Sequence, residues 1–99
     1  MFTSKQRSVL RSLAQTIEPI GQVGKGGVSD NMVASFSQAL ESRELIKLTL
    51  LNNSDEDIMS VANELAQKLN AEVVCTIGHK IVLYRYSKKK GIVHIKYWV

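Results

Sequence analysis

The residues best placed to do chemistry in this chain lie in one run, Val23–Gly24–Lys25–Gly26–Gly27–Val28–Ser29. Three glycines surround a single lysine. Glycine adopts backbone angles closed to other residues and lets a ligand approach the main chain closely. A helix beginning after Ser29 would add unpaired N–H groups and a partial positive charge just behind the glycines. Lys25 would add a full charge at the tip. The chemistry this suits is holding a phosphate. The plainer reading is a tight strand-to-helix connection, and a bare Gly-x-x-Gly pattern favours that one. Spacing excludes two other phosphate binders. There is no Gly-x-x-x-x-Gly-Lys-Ser/Thr loop and no Gly-x-Gly-x-x-Gly fingerprint.

A Gly-x-x-Gly loop is also how KH domains clamp nucleotide backbone. Other cations then matter. Arg7 and Arg11 are four apart, so on a helix they share one side, and Lys5 sits close in sequence. Lys80, Arg85 and the run Lys88–Lys90 follow later and are expected to cluster near the last hairpin. The alternative for each is an ordinary solvated charge. Arg85 alternates with Tyr84 and Tyr86, so on a strand it would face away from them. Packing against a helix is the commoner fate of such tyrosines, ahead of stacking on bases. The net charge of +4 and pI of about 9.4 favour polyanions in general without naming one.

Reactive groups are sparse. Cys75 is the one cysteine and lies in an apolar run, where it reads as a small core residue rather than a thiolate nucleophile. No disulfide can form within the chain, which points to a reducing compartment, the cytoplasm. His79 and His94 are isolated, with no metal-ligand spacing. Asp55, Glu56 and Asp57 stand where a helix dipole favours carboxylates. No catalytic set, metal site, cofactor or small-molecule substrate is expected. No stretch approaches the ~20 apolar residues of a membrane span.

The elements that must position the loop follow from periodicity. Thr3 and Gln6 form a capping-box pattern ahead of a helix carrying Val9, Leu10, Leu13, Ala14 and Ile17 on one face, ended by Pro19. Ile20–Val23 is a short strand. After the glycines, Ser29 caps a second helix with the stripe Met32, Val33, Phe36, Ala39 and Leu40. Glu44–Leu51 reads as a central strand with Ile46, Leu48 and Leu50 on one face. Asn52–Asn53 signals a turn, and Ser54 is expected to cap a third helix bearing Ile58, Val61, Ala62, Leu65, Ala66 and Leu69. Glu72–Ile77 and Lys80–Tyr86 are strands joined by Gly78–His79. The tail from Ile92 to Val99 fits a fifth strand or a mobile end. With 99 residues, 44% hydrophobic and 22% charged, the expectation is one domain, residues 1–99. Its order is α-β-α-β-α-β-β, a two-layer α/β fold with a mixed four-stranded sheet.

The sequence resembles the YhbY-like proteins of the chloroplast RNA splicing and ribosome maturation (CRM) domain family. The matching segments are Ser4–Lys5–Gln6–Arg7, Pro19 to Gly27, Glu44–Leu45–Ile46–Lys47–Leu48 and Ile77 to Arg85. They cover residues 3–87 or so, leaving 88–99 as a tail without a family motif. The resemblance implies a fold similar to the C-terminal domain of translation initiation factor three. It also implies binding to ribosomal RNA in large-subunit precursors, with the contact at Gly24, Lys25, Gly26 and Gly27. Lys5, Arg7, Arg11, Lys80, Arg85 and Lys88 are expected to extend that surface. The expected protein is a non-catalytic monomer that assists ribosome assembly. The competing expectation is a protein-interaction module that uses the apolar tail.

Overall fold

A computed structural model describes residues 2–24, 26–51 and 57–95. The elements are α1 (Ser4–Ala14), β1 (Gly21–Val23), α2 (Asp30–Arg43), β2 (Leu45–Leu50), α3 (Ile58–Leu69), β3 (Glu72–Ile77) and β4 (Lys80–Tyr84). The strands form one sheet in the order β1-β2-β4-β3. β1 runs parallel to β2, while β4 is antiparallel to both β2 and β3. This is the expected α-β-α-β-α-β-β mixed sheet. It places the last strand in the sequence, β4, inside the sheet beside β2.

The helix starts obey the cap chemistry of the sequence. The Thr3 hydroxyl accepts from the Gln6 amide at 3.1 Å, and the Gln6 side chain accepts from the Thr3 amide at 3.0 Å. Ser29 Oγ accepts from the Met32 amide at 3.2 Å. α3 differs. It begins at Ile58 with Asp57 in the cap position, three residues later than the expected Ser54 cap. Several polar residues precede its apolar stripe, and the pattern alone does not choose among them. Asn52–Glu56 lie outside the described residues, as do Met1, Lys25 and Lys96–Val99.

Two clusters hold the fold together. Ile46, Leu48, Leu50, Ile81 and Leu83 project from one sheet face onto Phe36 and Leu40 of α2 and Val61, Ala62, Leu65 and Leu69 of α3. Leu45, Val74, Val82 and Tyr84 project from the other face onto Leu10 and Ala14 of α1. The two-layer expectation is therefore corrected, since α1 adds a partial third layer. The reason is alternation along the strands, which gives β2 and β4 a buried residue on each face. Gly21 opens β1 against α2. A Cβ there would come within 2.8 Å of the Phe36 ring.

β4 ends at Tyr84, two residues short of the expected Tyr86. The chain beyond it forms no strand through Ile95. It folds back onto the C-terminal end of α2 through one buried carboxylate, Glu44.

Candidate nucleic-acid interface

The glycine loop leaves β1 at Val23. The Leu51 amide donates to the Val23 carbonyl at 2.8 Å, and the Leu50 amide donates to the His79 carbonyl at 2.7 Å. The loop, the end of β2 and the Gly78–His79 turn thus share one end of the sheet. In that turn Gly78 has φ +59° while His79 stays out of the left-handed region, the pattern of a type II′ hairpin. Within the loop, the Gly27 amide closes onto the Gly24 carbonyl at 3.0 Å. Gly27 has φ +75°, so the turn itself calls for glycine there.

Gly26 is different. Its φ is not left-handed, and a Cβ built on it meets no atom within 4 Å. Nothing in the fold calls for glycine at this exposed position. Its missing side chain opens the backbone to an approaching ligand, immediately ahead of α2. Lys25 lies outside the described residues.

The sheet face covered by α1 is only half closed. Lys47 and Thr49 of β2 lie on this face, as the neighbouring Leu45 shows, and Lys80 of β4 joins them, with its Nζ 3.0 Å from Thr49 Oγ1. Lys47 Nζ donates to the Ile17 carbonyl at 3.3 Å. Over β3, a concavity of about 210 Å³ is lined by Ser4, Arg7, Ser8, Arg11 and Cys75. Among the described residues no carboxylate pairs with Arg7 or Arg11. Burial pushes the Cys75 thiol up, against the opposing pull of Arg11, Arg7 and Lys47. Cys75 is half-buried and floors a cationic pocket, so the expected core placement is met only in part. Taken across the sheet, β2 carries Lys47, β4 carries Lys80, and Arg7 and Arg11 overlie β3. From β2 to β3 is two strand spacings, roughly 10 Å. Sequence reasoning missed Lys47 because only the strand order brings it beside Lys80. It missed Ser4 and Ser8 because serine carries no charge to notice, although the 4, 7, 8, 11 spacing was there to be read.

The other expected cations are elsewhere. Lys5 stands two residues from Arg7, about 200° around the helix, so it leaves the Arg7–Arg11 side. The expected cluster of Lys80 with Arg85 and Lys88–Lys90 does not form. Lys80 sits at the loop end of the sheet. Arg85 and the lysines lie at the opposite end, where Lys89 lines a groove with Ser37, Gln38, Glu41 and Ser42 of α2. The chain reverses role after Tyr84, and with it the neighbourhood.

Arg85 is bound into the fold. Nη1 donates to the Leu69 carbonyl at 2.7 Å, and Nη2 reaches the Ser37 carbonyl, Ser37 Oγ and Glu41 Oε1 at 2.9 to 3.1 Å. It fastens the end of α3 to α2. Tyr84 is buried, with the Phe2 ring edge-on at 5.6 Å. Tyr86 is 55% exposed, and so departs from the expected packing against a helix.

The comparisons establish the family. The sequence model of the CRS1 / YhbY (CRM) domain matches residues 2–85. This chain belongs to the CRM domain family. Among its curated relatives is Probable RNA-binding protein YqeI of Bacillus subtilis, 51% identical over 89 residues, which are 90% of this chain and 93% of that protein. A Haemophilus influenzae protein named RNA-binding protein is 32% identical over 91 residues, covering 92% of each chain. The solution structure of the hypothetical protein SAV1595 from Staphylococcus aureus matches with a TM-score of 0.78 at 43% identity. That match covers 97% of this chain and 100% of that one. The CRM match takes in α1, the glycine loop and all four strands, and stops one residue after β4.

Neither histidine is placed as a metal ligand, and among the described residues no group of three His, Cys, Asp or Glu side chains converges. No described helix is long and apolar enough to cross a membrane.

Proposed function

We propose that this protein binds ribosomal RNA in precursors of the large subunit and assists their assembly by binding alone, as a cytoplasmic monomer. The observation that carries the reading is Gly26. The fold does not require glycine there, yet its absent side chain exposes loop backbone at the mouth of α2. Backbone amides, the helix start and Lys25 then grip phosphate without reading sequence. Arg7, Arg11, Lys47 and Lys80 extend the grip across the sheet, while Lys5, on another side of α1, and Lys88, at the opposite end of the sheet, add only to the overall positive charge. Arg85 serves by holding α2 and α3 in place. Support also comes from the relatives, two of which carry RNA binding in their names.

The test is sedimentation of cell lysate through a sucrose gradient at low and high salt, with detection of this protein. The expected result is co-migration with a large-subunit precursor, lost at high salt through counterion competition. Migration at the top of the gradient in both salts would overturn the ribosomal reading.

A further inference from the structure

Beyond Arg85 the chain leaves the part matched by the family, and it builds something there. Glu44 ends α2 with φ +67°, a strained value for a residue with a side chain. Its carboxylate is wholly buried and accepts from the Ser87 amide at 2.7 Å and the Ile95 amide at 2.8 Å. A third contact joins Oε2 to His94 Nδ1 at 2.7 Å. An ionised carboxylate only accepts, so Nδ1 must carry a proton, and the imidazole ring is fixed in orientation. That ring stacks on Tyr86, with centroids 4.3 Å apart and planes 9° from parallel, while the tyrosine hydroxyl meets Nε2 at 3.2 Å. One face of Tyr86 is thereby covered and held. With 55% of the residue exposed, the other face meets solvent.

We infer that the open face of Tyr86 is a stacking platform for an unpaired RNA base. The inference rests on the proposed RNA-binding function and adds a second contact to it. A stacking site needs a rigid aromatic plane, and the buried carboxylate supplies that rigidity through His94. It also needs positive charge for the flanking phosphates. Lys88, Lys89 and Lys90 follow within four residues and outnumber Glu72, which lines a concavity with Tyr86. An apolar protein partner has no use for such charge. The platform stands at the start of β2 and the glycine loop at its end. Five strand steps, about 16 Å, separate them along the sheet. A helical stem gripped at the loop would therefore offer the platform its single-stranded flank, not a paired base.

The test compares two RNA probes, a blunt hairpin and the same hairpin with a single-stranded extension of about ten nucleotides. Full-length protein is used as wild type, Tyr86→Ala and Tyr86→Phe, each checked by thermal melting. The expected result is that Tyr86→Ala weakens binding of the extended hairpin about tenfold, the loss of one stacked base. It leaves the blunt hairpin unchanged, and Tyr86→Phe stays close to wild type on both. Unchanged affinity of Tyr86→Ala for both probes overturns the platform, and loss of a protein partner instead would reassign it. Equal weakening on both probes also overturns it, because Tyr86 would then merely hold the tail. If wild-type protein binds neither probe at low salt, the RNA-binding reading itself fails and takes the platform with it.

Discussion

The two ends of the sheet treat charge in opposite ways. Over β3, Arg7 and Arg11 have no carboxylate partner among the described residues, and at the glycine-loop end Gly26 leaves backbone uncovered. At the tail end Lys88, Lys89 and Lys90 stay exposed, but three other charges turn inward. Arg85 bridges α2 and α3, Glu41 meets Arg85, and Glu44 takes three donors from the returning chain. Unmatched cations cost folding little and serve a polyanion. Buried, matched charges hold an irregular segment that has no strand ladder to hold it. Arginine is thus unpaired by carboxylate over β3 and built into the architecture at the tail end.

The sharpest way to break that contrast is to remove Glu44. Glu44→Ala leaves two buried amides and His94 without an acceptor, so unfolding in urea is expected to show a loss of about 3 kcal/mol. Acid gives a gentler version. Burial raises the Glu44 pKa, but the Ser87 amide, His94 and the Ile95 amide together outweigh it and hold the carboxyl below its usual range. A lowered folded value means that this stability is present above the unfolded pKa and is lost as pH falls through the folded one. Wild-type stability should therefore decline below about pH 4.3, and Glu44→Gln should flatten that limb of the curve.

Arg85→Ala comes next. Breaking the α2–α3 tie is expected to cost about 2 kcal/mol by the same urea measurement. RNA affinity of the folded variant should stay within about twofold, since a cation bound inward contributes little to the field outside. A large affinity loss with unchanged stability would erase the contrast. Arg7→Gln with Arg11→Gln should do the reverse, shifting stability by less than about 0.5 kcal/mol while weakening RNA binding about tenfold. The smallest effect is expected from Gly26→Ala. Its melting temperature should match wild type, because the added methyl meets no atom within 4 Å. Its RNA affinity should fall a few-fold as the methyl obstructs backbone approach.

Much of this was legible in the sequence because it is local. Thr3, Ser29, Pro19 and the glycines mark element ends by chemistry within a few residues, and the apolar stripes of α1, α2 and α3 need only a period to be seen. The glycine loop and the Arg7–Arg11 pair were legible for the same reason. What sequence reading missed is non-local. Lys47 and Lys80 meet only because β4 inserts beside β2, a consequence of the β1-β2-β4-β3 order. Arg85 looked like a surface cation because β4 was read two residues too long. Glu44 looked like the start of a strand. Nothing within its neighbours says that a carboxylate there will be buried, since its partners lie more than 40 residues away.

The proposed grip on RNA phosphate runs from the glycine loop to the Arg7–Arg11 side of α1 over β3. Its most direct test is the salt dependence of affinity for transcribed large-subunit ribosomal RNA, wild type against the triple variant Lys25→Ala, Arg7→Gln, Arg11→Gln. The expected result is a slope of log affinity against log salt smaller by about two to three units, in a variant whose thermal melt is unchanged. A folded triple variant with the wild-type slope and affinity would contradict the account and place the RNA contact elsewhere on the molecule.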